Sequence, residues 1–134
     1  MAKATNAADD GGIITKSGSG SVEQLVTRLT DIIRDRDLML FAIVDHSGEA
    51  KRCGLELRDT KVVIFGSPRA GTPVMQASPL SALDLPLKVL RWDDGGHTKF
   101  SYTDPKTLAS RHHLSDELAA GLEGIGPLTD ALVD

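Results

Sequence analysis

The stretch LKVLRWDDGGHTKFSY, Leu87–Tyr102, decides the fold. LKVLRW and HTKFSY are strand-like runs, and Asp93-Asp94-Gly95-Gly96 between them has the composition of a tight turn. Glycine reaches the positive φ that hairpin turns need. The two runs therefore form a hairpin. A hairpin pairs its strands antiparallel, which excludes a wholly parallel sheet.

Working back from the hairpin, Lys61–Phe65 (KVVIF) is another strand. Leu38–Val44 (LMLFAIV) is an unbroken apolar run whose length suits a central strand better than a helix. Gly48–Gly54 between them has room for one or two helical turns. Further back, Ser21 followed by Gln24 makes a capping box. Val22, Leu25, Val26, Leu29, Ile32 and Ile33 then recur at helical spacing, the mark of a packing helix entered through Ser17–Gly20 (SGSG). Beyond Phe65, Thr72 as N-cap and Pro73 at the first position start a short helix over Val74–Ala77.

After the hairpin, Asp104-Pro105 opens a helix by the same cap-then-proline logic. Ser115 caps a last amphipathic helix with Leu118 and Leu122, interrupted by Gly124, Gly126 and Pro127. This order predicts an α+β domain: a mostly antiparallel sheet covered by helices on one face. Residues 1–12 are small and polar and are expected to form a disordered tail, with residues 13–134 as a single domain.

The 134 residues are 40% apolar and 25% charged with a formal charge of −4, and the pI is near 5.5. No run of basic residues offers the phosphate-neutralising patch that nucleic acid or an anionic membrane requires. No apolar run approaches the ~20 residues of a membrane span, and the start lacks a signal-peptide core. A single cysteine, Cys53, excludes an internal disulfide and is expected as a small buried thiol. A cytoplasmic protein is the expectation.

Chemistry has few places to sit. Val62–Pro73 (VVIFGSPRAGTP) has two glycines, Gly66 and Gly71, at the spacing of a nucleotide-binding phosphate loop. Thr72 stands where that motif needs lysine and Pro73 where it needs a hydroxyl. Pro68 and Pro73 also remove backbone N–H donors that would cradle phosphates. The glycines are expected to shape a strand-to-helix turn, and Arg69 before a helix start could meet a smaller anion. Asp45-His46 ends a strand, so His46 is the candidate general acid or base, with Asp45 or Asp84 to orient it. Arg111-His112-His113 ends a helix, where positive groups suit the carbonyl end of the dipole. Arg111 or His112 could also meet His46 across a shared cleft. Metal-ligand spacing is absent, so no metal and no cofactor are expected. Trp92 and Tyr102 are expected as packing residues with one polar end.

IVDHSGEAKRCGLELRDTKVVIFGSPRAGTPVMQ, LDLPLKVLRWDD and YTDPKTLASRHHL together resemble the bacterial domain-of-unknown-function family numbered 302. The likeness runs in order from Ile43 to Leu114. It includes Asp45, His46 and Ala50; Phe65, Gly66, Pro68, Arg69, Gly71 and Thr72; Leu83–Lys88; and Tyr102, Asp104, Pro105, Arg111 and His112. Ser67 departs from the family's usual asparagine. The resemblance implies a small α+β fold related in shape to TATA-binding-protein-like folds, and a homodimer. It implies no DNA binding, because fold does not dictate function, and no activity.

The leading expectation is a dimeric binding or sensing module for a small anionic ligand. Its cleft would lie near Asp45-His46 and the loop Gly66, Ser67, Arg69, Gly71 and Thr72, with Arg111 and His112 as further ligand-binding residues. The alternatives are a small enzyme using His46, and a structural or partner-binding dimer.

Overall fold

A computed structural model of the chain describes residues 11–133. Of the expected tail, residues 1–10 lie outside this range. Gly12 is part of the domain: it is buried and its carbonyl accepts a 2.7 Å hydrogen bond from the Asp104 N–H.

Five strands form one antiparallel sheet: β1 (Ile13–Gly18), β2 (Met39–Asp45), β3 (Thr60–Gly66), β4 (Leu87–Asp94) and β5 (His97–Thr103), in the order β1-β5-β4-β3-β2. The hairpin forms as expected. Asp94 pairs with His97, and Gly95 (φ 61°) and Gly96 (φ 94°) take the two left-handed positions of the turn. The Asp93 carboxylate fastens it by accepting from the Gly96 N–H at 2.9 Å.

The helices are α1 (Val22–Asp35), α2 (His46–Arg52), α3 (Pro68–Ala77), α4 (Pro105–Arg111), α5 (Asp116–Ala120) and α6 (Ile125–Asp130). A 3₁₀ turn, Pro79–Leu83, follows α3. The α1 capping box is present: the Ser21 hydroxyl accepts from the Gln24 N–H at 3.0 Å, and Gln24 Oε1 accepts from the Ser21 N–H at 2.9 Å. Val22, Leu25, Val26, Leu29 and Ile33 of α1 are buried. Four of them join Val63, Phe65, Val89 and Phe100 from the sheet and Ile125, Leu128 and Leu132 from the C-terminal segment in one core. At ~1.5–3 kcal/mol per fully buried apolar side chain, this layer is the main stabilising contact of the domain. Alternate sheet residues Val62, Ile64, Leu90 and Trp92 point to the other face and are half-buried.

Three expectations are corrected. β2 is an edge strand, not a central one, with Met39, Phe41 and Ile43 each more than two-fifths exposed. An unbroken apolar run is compatible with burial on both faces and equally with an exposed apolar edge. The helix after β3 starts six residues earlier than Val74, at Pro68, with Ser67 as N-cap. Both Ser67-Pro68 and Thr72-Pro73 carry the cap-then-proline signature, and the first pair wins because the chain leaves the sheet there. Pro73 then sits inside the helix and forgoes one backbone bond near exposed Arg69. The last helix is two short ones, α5 and α6, separated around Gly121 and Gly124.

Candidate ligand-binding site

The end of β3 and the start of α3 build the wall of a cavity of about 340 Å³. Gly66, Ser67, Gly71 and Thr72 line it, with Met75 from α3 and Leu85, Pro86 and Leu87 from the segment entering β4. Phe41 closes one side. A register irregularity between Leu40 and Ala42 leaves Phe41 without a partner on β3. Such a bulge turns a side chain away from the sheet's alternation, here to the cavity. The volume falls in the range of small-molecule sites, ~300–1,000 Å³. The walls are almost wholly apolar.

Of the two motif glycines, Gly66 stands at the expected strand-to-helix junction and Gly71 does not. Neither Gly66 nor Gly71 is among the residues with positive φ. Gly66 is the last strand residue and Gly71 lies within α3. A Cβ at Gly71 would meet Met75 Cε at 3.8 Å and Leu85 Cδ1 at 3.9 Å, ordinary contact distances. A Cβ at Gly66 would meet Pro86 Cβ at 3.6 Å. Glycine inside a helix costs ~1 kcal/mol relative to alanine. At Gly71 the missing methyl leaves room beside the cavity-lining Met75 and Leu85.

The candidate cations lie elsewhere. Arg69 is exposed and is not a lining residue, although its neighbours Pro68 and Ala70 are. Arg111 and His112, at the end of α4, converge on Asp84: Arg111 Nη1 is 3.0 Å and His112 Nε2 2.6 Å from Asp84 Oδ2. Partial burial disfavours the Asp84 carboxylate, but the hydrogen bonds and charges of His112 and Arg111 outweigh it and hold its pKa below the usual range. This knot adjoins Leu85-Pro86 and holds that wall of the cavity to α4. Asp84 therefore orients His112 rather than His46.

Asp45 and His46 stand at the far end of the sheet. Asp45 pairs with Lys61 whereas Met39, at the other end of β2, pairs with Gly66. Lys61 and Gly66 are roughly 17 Å apart along β3. The cavity beside Gly66 takes no lining from Asp45 or His46. Asp45 is the N-cap of α2, its Oδ1 accepting from the Gly48 N–H at 2.9 Å and from the Ser47 hydroxyl at 3.0 Å. The Gly48 bond is the leading cause that keeps its carboxyl below the usual range. His46 is exposed at the first position of α2 and is not a lining residue of the cavity. Cys53 is exposed rather than buried, because it caps the end of α2 at the surface. Among the described residues no group of three or more His, Cys, Asp or Glu is placed to hold a metal ion.

Sequence reasoning missed Phe41 and Met75, and it assigned no ligand contact to Leu85–Leu87. The last of these had a signal in the motif LDLPLK; a bulge on β2 leaves none.

An antiparallel five-stranded sheet backed by helices, with an apolar cavity where β3 meets α3, defines a small α+β domain. The chain belongs to the family described as Domain of unknown function DUF302, which it matches over residues 13–131. It is similar to the crystal structure of an uncharacterized conserved DUF302 protein from Bacillus stearothermophilus. That likeness has a TM-score of 0.77 at 17% identity over 92% of this chain and 96% of the other. It is also 37% identical over 125 residues to the fluoride-specific ion channel FluC 1 of Brucella suis, covering 90% of this chain and 49% of that protein. FluC 1 of Brucella abortus is equally similar, with 46% of its length covered. The chain thus spans about half the length of the curated relatives it matches. Among the described residues no helix is long and apolar enough to cross a membrane.

Proposed function

We propose that this domain is a non-enzymatic binding or sensing module whose ligand enters the cavity between β3, α3 and the Leu85–Leu87 segment. The observation that carries this is the placement of four motif residues, Gly66, Ser67, Gly71 and Thr72, on the wall of one apolar cavity. The lining favours a ligand with an apolar body. The anionic group expected from the sequence would have Arg69 beside the mouth as its partner, since Arg111 and His112 are engaged by Asp84. The alternative, an enzyme using His46, gains no support from a histidine exposed at the opposite end of the sheet.

The homodimer is part of the same proposal. Among the described residues nothing pairs with the outer edge of β2, which exposes Met39, Phe41 and Ile43 and carries no charge from Met39 to Val44, so a second copy can add to it across a two-fold axis. For the channel-named relatives, we propose that ion conduction belongs to the half this chain does not match, with this domain as a binding accessory.

The test is fluorescence titration with anilinonaphthalene sulfonate, which joins an apolar ring system to one anionic group. Saturable binding by the wild type, weakened in Arg69→Ala and lost in a folded Gly71→Leu, supports the proposal. Equal binding by the wild type and Gly71→Leu refutes it.

A further inference from the structure

We infer that Arg91 forms a second, separate site: an enclosed position for a small monovalent anion of halide size, fluoride or chloride, between α1 and the sheet. Arg91 lies on β4 with Lys61 beside it on β3 and Phe100 on β5, on the helix-covered face. It is 0% exposed, the largest fully buried side chain described. Its Nε, Nη1 and Nη2 have no hydrogen-bond partner among the described residues. The guanidinium carbon stands 4.5 Å from the centroid of the Phe100 ring, so the ring occupies one flat face. What remains is the edge, where five N–H groups point outward in one plane.

The neighbouring buried cation shows what the fold does when it supplies partners itself. Lys16, across β5 from Arg91, donates to Thr129 Oγ1 at 2.7 Å and to the Gly126 carbonyl at 3.1 Å, and pairs with Asp130 at 2.8 Å. Among the described residues Arg91 has no such set. Burial, and then the positive charge of Arg28 on α1, push its pKa down to about 9, which still leaves it charged at neutral pH. A buried, uncompensated cation is among the costliest arrangements a core can hold. A water molecule would satisfy N–H groups but bring no charge; an anion does both.

Size selects the anion. With no exposed surface on Arg91 and a close-packed interior around it, the guest is a single small ion, water-sized if fluoride and slightly larger if chloride. That excludes phosphate, sulfate and carboxylates and leaves halides. This site is independent of the apolar cavity at the other end of β4, whose wall is Leu87.

The test is thermal unfolding of the full chain in a buffer whose only anion is gluconate, titrated with sodium fluoride or sodium chloride at constant sodium. The expected result is a melting temperature of the wild type that climbs and saturates with at least one halide. Arg91→Met should melt at least as high as the wild type in gluconate and show no saturable climb. The same climb in both proteins, or none in the wild type with either halide, overturns the inference. Should Arg91→Met not fold, the fluoride and chloride NMR linewidths over the wild type decide. Excess broadening that saturates with either halide supports the site, and absence of excess broadening with both overturns it.

Discussion

His112 Nε2 lies 2.6 Å from Asp84 Oδ2, and Arg111 reaches the same oxygen at 3.0 Å. One carboxylate oxygen thus ties the end of α4 to the residue that precedes the cavity wall Leu85–Leu87. The folded pKa of Asp84 is depressed. A depressed carboxyl pKa contributes stability that is present above the unfolded value, near 4, and is lost as pH falls through the folded one. Asp84→Asn should therefore cost ~1–3 kcal/mol at neutral pH, largely by stripping the nearly buried His112 of its partner. The gap between the two proteins should narrow as pH drops below about 4. Urea unfolding of both proteins at several pH values measures this, and a constant gap would contradict it.

Gly71→Ala should stabilise the protein by up to ~1 kcal/mol, because alanine is the better helix former and its Cβ meets only ordinary contacts. The same change narrows the cavity, so probe affinity should fall as stability rises. Chemical unfolding and the fluorescence titration together check the opposed signs.

Asp45→Ala should cost ~1 kcal/mol by removing the N-cap of α2. His46→Ala, next to it in sequence, should stay within about 0.5 kcal/mol of the wild type, since His46 is exposed. Thermal melts of the two variants separate a structural motif residue from a surface one.

Ile43→Lys should leave the monomer fold intact, because Ile43 is 43% exposed. It should also abolish pairing of β2 with a second copy by placing like charges across the two-fold axis. Light scattering at several concentrations reads the outcome: a dimeric wild type and a monomeric variant are expected.

Local chemistry carried much of the fold in the sequence. The Asp-Asp-Gly-Gly turn, the Ser21–Gln24 capping box and the apolar stripe of α1 act through neighbours a few residues away, and each stands in the structure as expected. Local chemistry was ambiguous where two signals matched, as with Ser67-Pro68 and Thr72-Pro73 before α3, and the sheet's exit point chose between them. The candidate site was legible in its members Gly66, Ser67, Gly71 and Thr72 but not in its character. The sequence pointed to an anionic ligand through Arg69 and the basic residues Arg111 and His112, whereas Phe41, Met75 and Leu85–Leu87 make the walls apolar.

The sequence by itself determined an antiparallel α+β domain, because turns, caps and periodicity are properties of short segments. Only the tertiary structure decided the rest. It put Asp45-His46 and Gly66 at opposite ends of one sheet, made β2 an edge, joined His112 to Asp84, and enclosed Arg91 against Phe100. Each of those outcomes depends on which strand lies beside which, and that order is a property of packing many segments at once rather than of any residue's neighbours in the chain.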